Sequence, residues 1–177
     1  MFTISCGLVP VKYDPPPVPL VDLTPDMSLY PKSWVFASKG DFRKYEGEIE
    51  NMDFSARFRN QDGRVSVYTL YRYLSVNEAA EHYAQMQQHL AKSYPDLYLP
   101  AGVRFTSTYA TRTSVQCTSR PASLFAGVTL CIILAQYGAY VMQLSLPLDP
   151  DAMTSADIVR ILTNLDQKLA VLVTPPQ

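Results

Sequence analysis

Residues 121–148 run 28 positions without a charged side chain, and any fold of this chain must take that stretch out of water. Length and apolarity alone allow a membrane-spanning helix. However, the polar and flexible interruption Gln136-Tyr137-Gly138 falls near the middle of the run, where a spanning helix would least tolerate it. On either side, residues 128–135 and 139–146 are rich in β-formers. After the interruption Tyr140, Met142, Leu144 and Leu146 alternate with Val141, Gln143 and Ser145. A period of two is a strand signature. The stretch reads as a buried hairpin with a two-residue turn at Tyr137-Gly138, pairing Gln136 with Ala139 and Ile133 with Met142.

The same period appears earlier. Phe54, Ala56 and Phe58 alternate with Ser55, Arg57 and Arg59, Asn60-Gln61-Asp62-Gly63 supplies a turn, and residues 64–74 return as a second strand. Ser75-Val76-Asn77-Glu78 then forms a capping box opening a helix to about Lys92, with an apolar stripe of Val76, Ala79 or Ala80, Tyr83, Met86 and Leu90. Residues 104–118, rich in threonine, serine and tyrosine, predict one or two strands. Thr154 caps a last helix whose inner face is Ile158, Ile161, Leu162, Leu165 and Leu169, with Asp157, Arg160, Asp166 and Lys168 placed outside. Trp34-Val35-Phe36 is a candidate to open the sheet, but the run is short and ambiguous. The order β-β-α-β-β-β-α predicts an α+β domain, an antiparallel sheet with two helices packed on it, spanning residues 29–172 and followed by a tail at 173–177.

Ahead of the domain, residues 1–28 form an arm. Pro10, Pro15, Pro16, Pro17, Pro19 and Pro25 lack N–H groups and push their predecessors toward extended geometry, so the arm is expected to be polyproline-like, a spacer or strap. Val9, Tyr13, Pro15, Pro16, Pro17 and Leu20 are its candidate partner-binding residues. The preceding Phe2-Thr3-Ile4-Ser5-Cys6-Gly7 resembles the lipobox of bacterial lipoproteins, with Ser5 and Gly7 suiting the positions around the cysteine and Thr3 and Ile4 departing from the usual leucine and small residue. That resemblance implies acylation of Cys6, a lipid anchor and an extracytoplasmic location. A lipoprotein signal also needs a charged segment and an apolar run before the cysteine, so the resemblance implies a start upstream of Met1; a plain N-terminal cysteine is the alternative. The element order is similar to that of PsbP-like proteins, extrinsic and often lipid-anchored companions of membrane complexes.

Little in the chain points to chemistry. A net charge of −1 without a basic helix face disfavours nucleic acid. Cys-x-x-Cys, Gly-x-Ser-x-Gly and glycine-rich phosphate loops are all missing from the sequence, and no cofactor or metal is expected. His82 and His89 lie two helical turns apart, too far to share a metal by themselves. Glu48 with Glu50, and Asp149 with Asp151, read as surface pairs. If the strands flanking residue 124 pair about it, Cys117 and Cys131 fall opposite one another. That allows a cross-strand disulfide, with two buried free thiols as the alternative. Expectation therefore settles on a non-catalytic accessory subunit tethered to a membrane complex, for instance in respiratory or photosynthetic electron transfer. A ligand-binding lipoprotein with a tyrosine-lined pocket at Tyr94 and Tyr98 is the alternative.

Overall fold

The structure is a computed structural model and describes residues 16–41, 52–119 and 128–173. Cys6, Val9, Tyr13 and Pro15, and with them the lipobox-like segment, lie outside the described residues. Six strands and two helices follow the chain order β1 (Trp34–Asp41), β2 (Met52–Asn60), β3 (Val65–Arg72), α1 (Val76–Ser93), β4 (Arg112–Thr118), β5 (Thr129–Tyr137), β6 (Tyr140–Leu148) and α2 (Ser155–Leu169). The strands form one antiparallel sheet in the order β1-β2-β3-β6-β5-β4. The fold is thus α+β, as the pattern of elements predicts, with one strand more. That strand, β1, pairs with β2 along the edge, and its register shifts by a bulge between Phe36 and Ser38. A bulge erases the simple alternation that marks a strand, which is why the run around Trp34 is hard to assign from sequence.

Strand alternation sorts side chains onto two faces, and each face takes one helix. Phe54, Ala56, Phe58, Tyr68, Leu70, Cys131, Ile133, Ala135, Met142, Leu144 and Leu146 point to α2, whose Ile158, Ile161, Leu162, Leu165 and Leu169 are all buried among them. At roughly 1.5–3 kcal/mol for each fully buried aliphatic side chain, this stripe outweighs any intrinsic helix preference of α2. On the other face α1 lies over β5 and β6, packing Ala79, Tyr83 and Leu90 against Tyr73, Leu130, Ile132, Leu134 and Val141. β5 is buried on both faces, so its apolar run is almost continuous.

The β5–β6 hairpin differs from expectation in register. Tyr137 pairs with Tyr140, Gln136 with Val141 and Ile133 with Leu144, so the turn is Gly138-Ala139. Gly138 sits at the first turn position with φ +57°, where a glycine avoids the steric cost of the left-handed region. The offset is two residues, so every side chain keeps its face.

The hydroxyl-rich segment forms one strand, residues 112–118, within the one or two expected; before it Ser107 draws the chain into a turn by accepting from the Tyr109 and Ala110 N–H groups. One further expectation is corrected. Val76 is exposed at the first turn of α1, outside the buried stripe. Helix α1 is capped by Ser75, whose hydroxyl accepts from Glu78 N–H, while the Glu78 carboxylate reaches one residue further back, to Leu74 N–H at 2.8 Å.

Candidate functional site

The described half of the proline-rich arm does not run free. Residues 20–29 lie against α2, and their path includes two short 3-10 turns, Leu20–Leu23 and Met27–Leu29. The expectation of a purely extended arm is therefore revised for this part. Prolines space the turns, but Leu23 and Tyr30 are apolar side chains that gain more by entering the core than by staying extended in water. Val18, Leu20, Met27 and Leu29 pack against the same cluster. Pro16 is half-buried and Pro17 exposed.

Polar contacts fix this strap along α2. Asn164 Nδ2 donates to Asp26 Oδ2 at 3.0 Å, and Lys168 Nζ donates to the Thr24 carbonyl at 2.9 Å and to Asp26 Oδ1. One turn earlier on the helix, Arg160 donates to the Leu29 carbonyl at 2.9 Å. The ammonium of Lys168 holds the Asp26 carboxyl below its ordinary range, against a smaller opposing effect of burial. Higher strap residues meet lower helix residues, so the strap runs antiparallel to α2. Its last anchor is Trp34, whose indole N–H donates to the Ala152 carbonyl at 3.0 Å.

A second polar cluster lies inside the α2 face. Asp166, placed on the outer face of α2 by its charge, is only 3% exposed. Its Oδ1 accepts from the Tyr137 hydroxyl at 2.8 Å and from the Ser107 hydroxyl, and its Oδ2 accepts from Thr108 N–H at 2.7 Å. Three donors from two segments satisfy one buried carboxylate, which staples the 105–110 loop to α2 and to the end of β5. Burial, with the carboxylate beside it, pushes the Tyr137 phenol upward. Nearby, the fully buried Tyr68 hydroxyl has no hydrogen-bond partner among the described residues, and burial raises its pKa as well. Sequence periodicity could not reveal Asp166, since its signal was the position of Ser107 and Tyr137 in space.

The third feature is covalent. Cys117 on β4 and Cys131 on β5 face one another directly and form a disulfide, with Cα atoms 4.0 Å apart and both residues fully buried. Both main-chain polar groups of Cys117 point away from β5, to Tyr98, at 2.7 and 2.9 Å. The cysteines therefore occupy a non-hydrogen-bonded pair, the close-approach site of an antiparallel ladder. Tyr98 is exposed and its hydroxyl lies 3.4 Å from Thr129 Oγ1, whereas Tyr94 packs with Leu97 beside the α1 cluster. Beside them, Asp96 accepts from the Thr118 hydroxyl at 2.6 Å and from Ser119, and these bonds, Thr118 first, lower its pKa.

Among the described residues no group of three or more His, Cys, Asp or Glu is placed to hold a metal ion. His82 stacks on Tyr73, and His89 lies 3.4 Å from the Ser93 hydroxyl. No described helix is long and apolar enough to cross a membrane. Comparison with known proteins gives no match to a family model, a curated protein or a solved structure.

Proposed function

We propose that this chain is a non-catalytic accessory subunit, tethered through Cys6 at the outer face of a bacterial membrane complex and acting in its assembly or stabilisation. The observation that carries this reading is the strap. A proline-rich leader that ends in a clamp of Asp26, Asn164, Lys168 and Arg160 on α2 is suited to transmit position from its N-terminal end to the folded body. Two further features support it. The Cys117–Cys131 disulfide is of the kind that persists in oxidising compartments outside the cytoplasm. The element order on which the resemblance to PsbP-like extrinsic proteins rests, to which β1 adds a leading strand, is compatible with it. The buried carboxylate is engaged by three donors that serve the fold, which favours a structural role for it.

The deciding experiment is the mass and company of the native protein extracted from membranes. An acyl increment on the peptide containing Cys6, together with membrane subunits in fixed ratio, is the expected result. Recovery as an unmodified soluble monomer defeats the reading.

A further inference from the structure

One end of the molecule gathers four of its exposed apolar side chains around the β5–β6 turn. Leu74 follows β3, whose neighbour Tyr73 donates its N–H to the Ala139 carbonyl at 2.9 Å. Val76 opens α1, and its carbonyl accepts from Gln136 Nε2, which also donates to the Gly138 carbonyl. Tyr109 precedes Thr111, whose N–H donates to the Gln136 carbonyl at 2.9 Å. Val171 adjoins Leu172, whose carbonyl lies 3.1 Å from where a Cβ on Gly138 would sit. These four side chains are 54%, 51%, 43% and 38% exposed, respectively. They come from three separate segments, at 74–76, 109 and 171, brought to one end only by the fold.

The strap points to the same end. Going back along it from Leu29 to Thr24, its anchors move along α2 from Arg160 to Lys168, toward the helix terminus beside Gly138. Pro16 lies ten positions after Cys6, and ten residues span at most about 36 Å. A chain held at Cys6 thus keeps this end within a short tether of whatever holds it.

We propose that this end is a lipid-contacting surface: Leu74, Val76, Tyr109 and Val171 enter the headgroup and upper acyl region of the bilayer. This orientation builds on the tethered reading above. Separate aliphatic tips with one tyrosine suit a fluid interface that conforms to each of them, and a phenol ring is at home at headgroup depth. Arg112 is exposed at the start of β4, where its guanidinium, donating to the Ala80 carbonyl at 3.3 Å, can also meet anionic headgroups, and the acidic Glu78 is held by Leu74 N–H. Four side chains from three segments make a poor match to the packed, contiguous core of a stable protein interface.

The test uses the full chain carrying Cys6→Ser, so that no acyl chain contributes, floated with vesicles of phosphatidylethanolamine and phosphatidylglycerol. L74S/V76S is expected to lower vesicle partition about ten-fold, the scale set by removing two partly inserted aliphatic groups. V35S/L99S removes comparably exposed groups (54% and 57%) from the opposite end and is expected to leave partition unchanged. Thermal melts of all three proteins confirm equal folding, and V171S gives an independent reading if L74S/V76S proves unstable. A parent chain that stays unbound, including one whose apolar end docks on protein alone, overturns the proposal, as does equal loss in both double variants. Either failure leaves the Cys6 tether to be judged separately by its mass.

Discussion

Asp166 and Tyr68 show how differently two buried polar groups in one core are treated. Removing the Asp166 carboxylate would orphan the Ser107 and Tyr137 hydroxyls and the Thr108 N–H, so Asp166→Ala is expected to cost about 3 kcal/mol in urea unfolding. Tyr137→Phe leaves the carboxylate two donors and should cost about half as much. Tyr68→Phe is expected to go the other way. It removes a hydroxyl that is desolvated without a partner among the described residues, so stability stays level or rises by about 1 kcal/mol. A large loss on Tyr68→Phe would mean that the hydroxyl is engaged after all. None of this is legible in the sequence, where Asp166 sits among residues that read as the solvent side of a helix. Helical periodicity reports how polar a position is, and a buried acid looks the same as an exposed one until its donors arrive from residues 107, 108 and 137.

At the scale of elements, the strap and the disulfide make separable contributions. Because Lys168 depresses the Asp26 pKa, the unfolded chain binds more protons than the folded one between the two values, and stability there rises with pH. The contribution of the latch is therefore complete above the ordinary value of 3.8 and lost as pH falls through the lower folded value. Asp26 is about half exposed, so screening keeps this effect small, and Lys168→Ala should show itself mainly as faster amide exchange over residues 18–30. The disulfide closes a loop of sequence separation 14, for which loss of denatured-state entropy predicts about 3 kcal/mol; C117A/C131A should lower stability by that order. Alkylation of both cysteines in denaturant without reductant would show that no bridge forms. The two hairpins and both helices are readable from the chain because their alternation and caps are local. The β5–β6 register is not, because Gly138 serves equally well at either position of a two-residue turn and only the pairing of Tyr137 with Tyr140 decides.

Across the whole molecule, protection should follow the layering. β6 and β5 are covered on both faces and β1 and β4 form the edges, so amide exchange by mass spectrometry should be slowest across β5 and β6 and fastest in β1. Comparable rates in all six strands would contradict that order. Sequence reading reached the fold class because strand runs separated by helices leave few packings open, while the addition of β1 needed its partner β2 in place. The order of strands has one more consequence. The two halves of the sheet meet at β3 and β6, where Val67 pairs with Ser145 and Arg72 with Tyr140. A chain that emerges from its N-terminus, whether from a ribosome or through a translocation pore, can assemble β1, β2 and β3 early but finds no central neighbour for β3 until Leu148 is out. Until then Tyr68 and Leu70 have neither β6 nor α2 over them. The topology defers closure to the last sixth of the chain, which leaves the polypeptide threadable for most of its delivery.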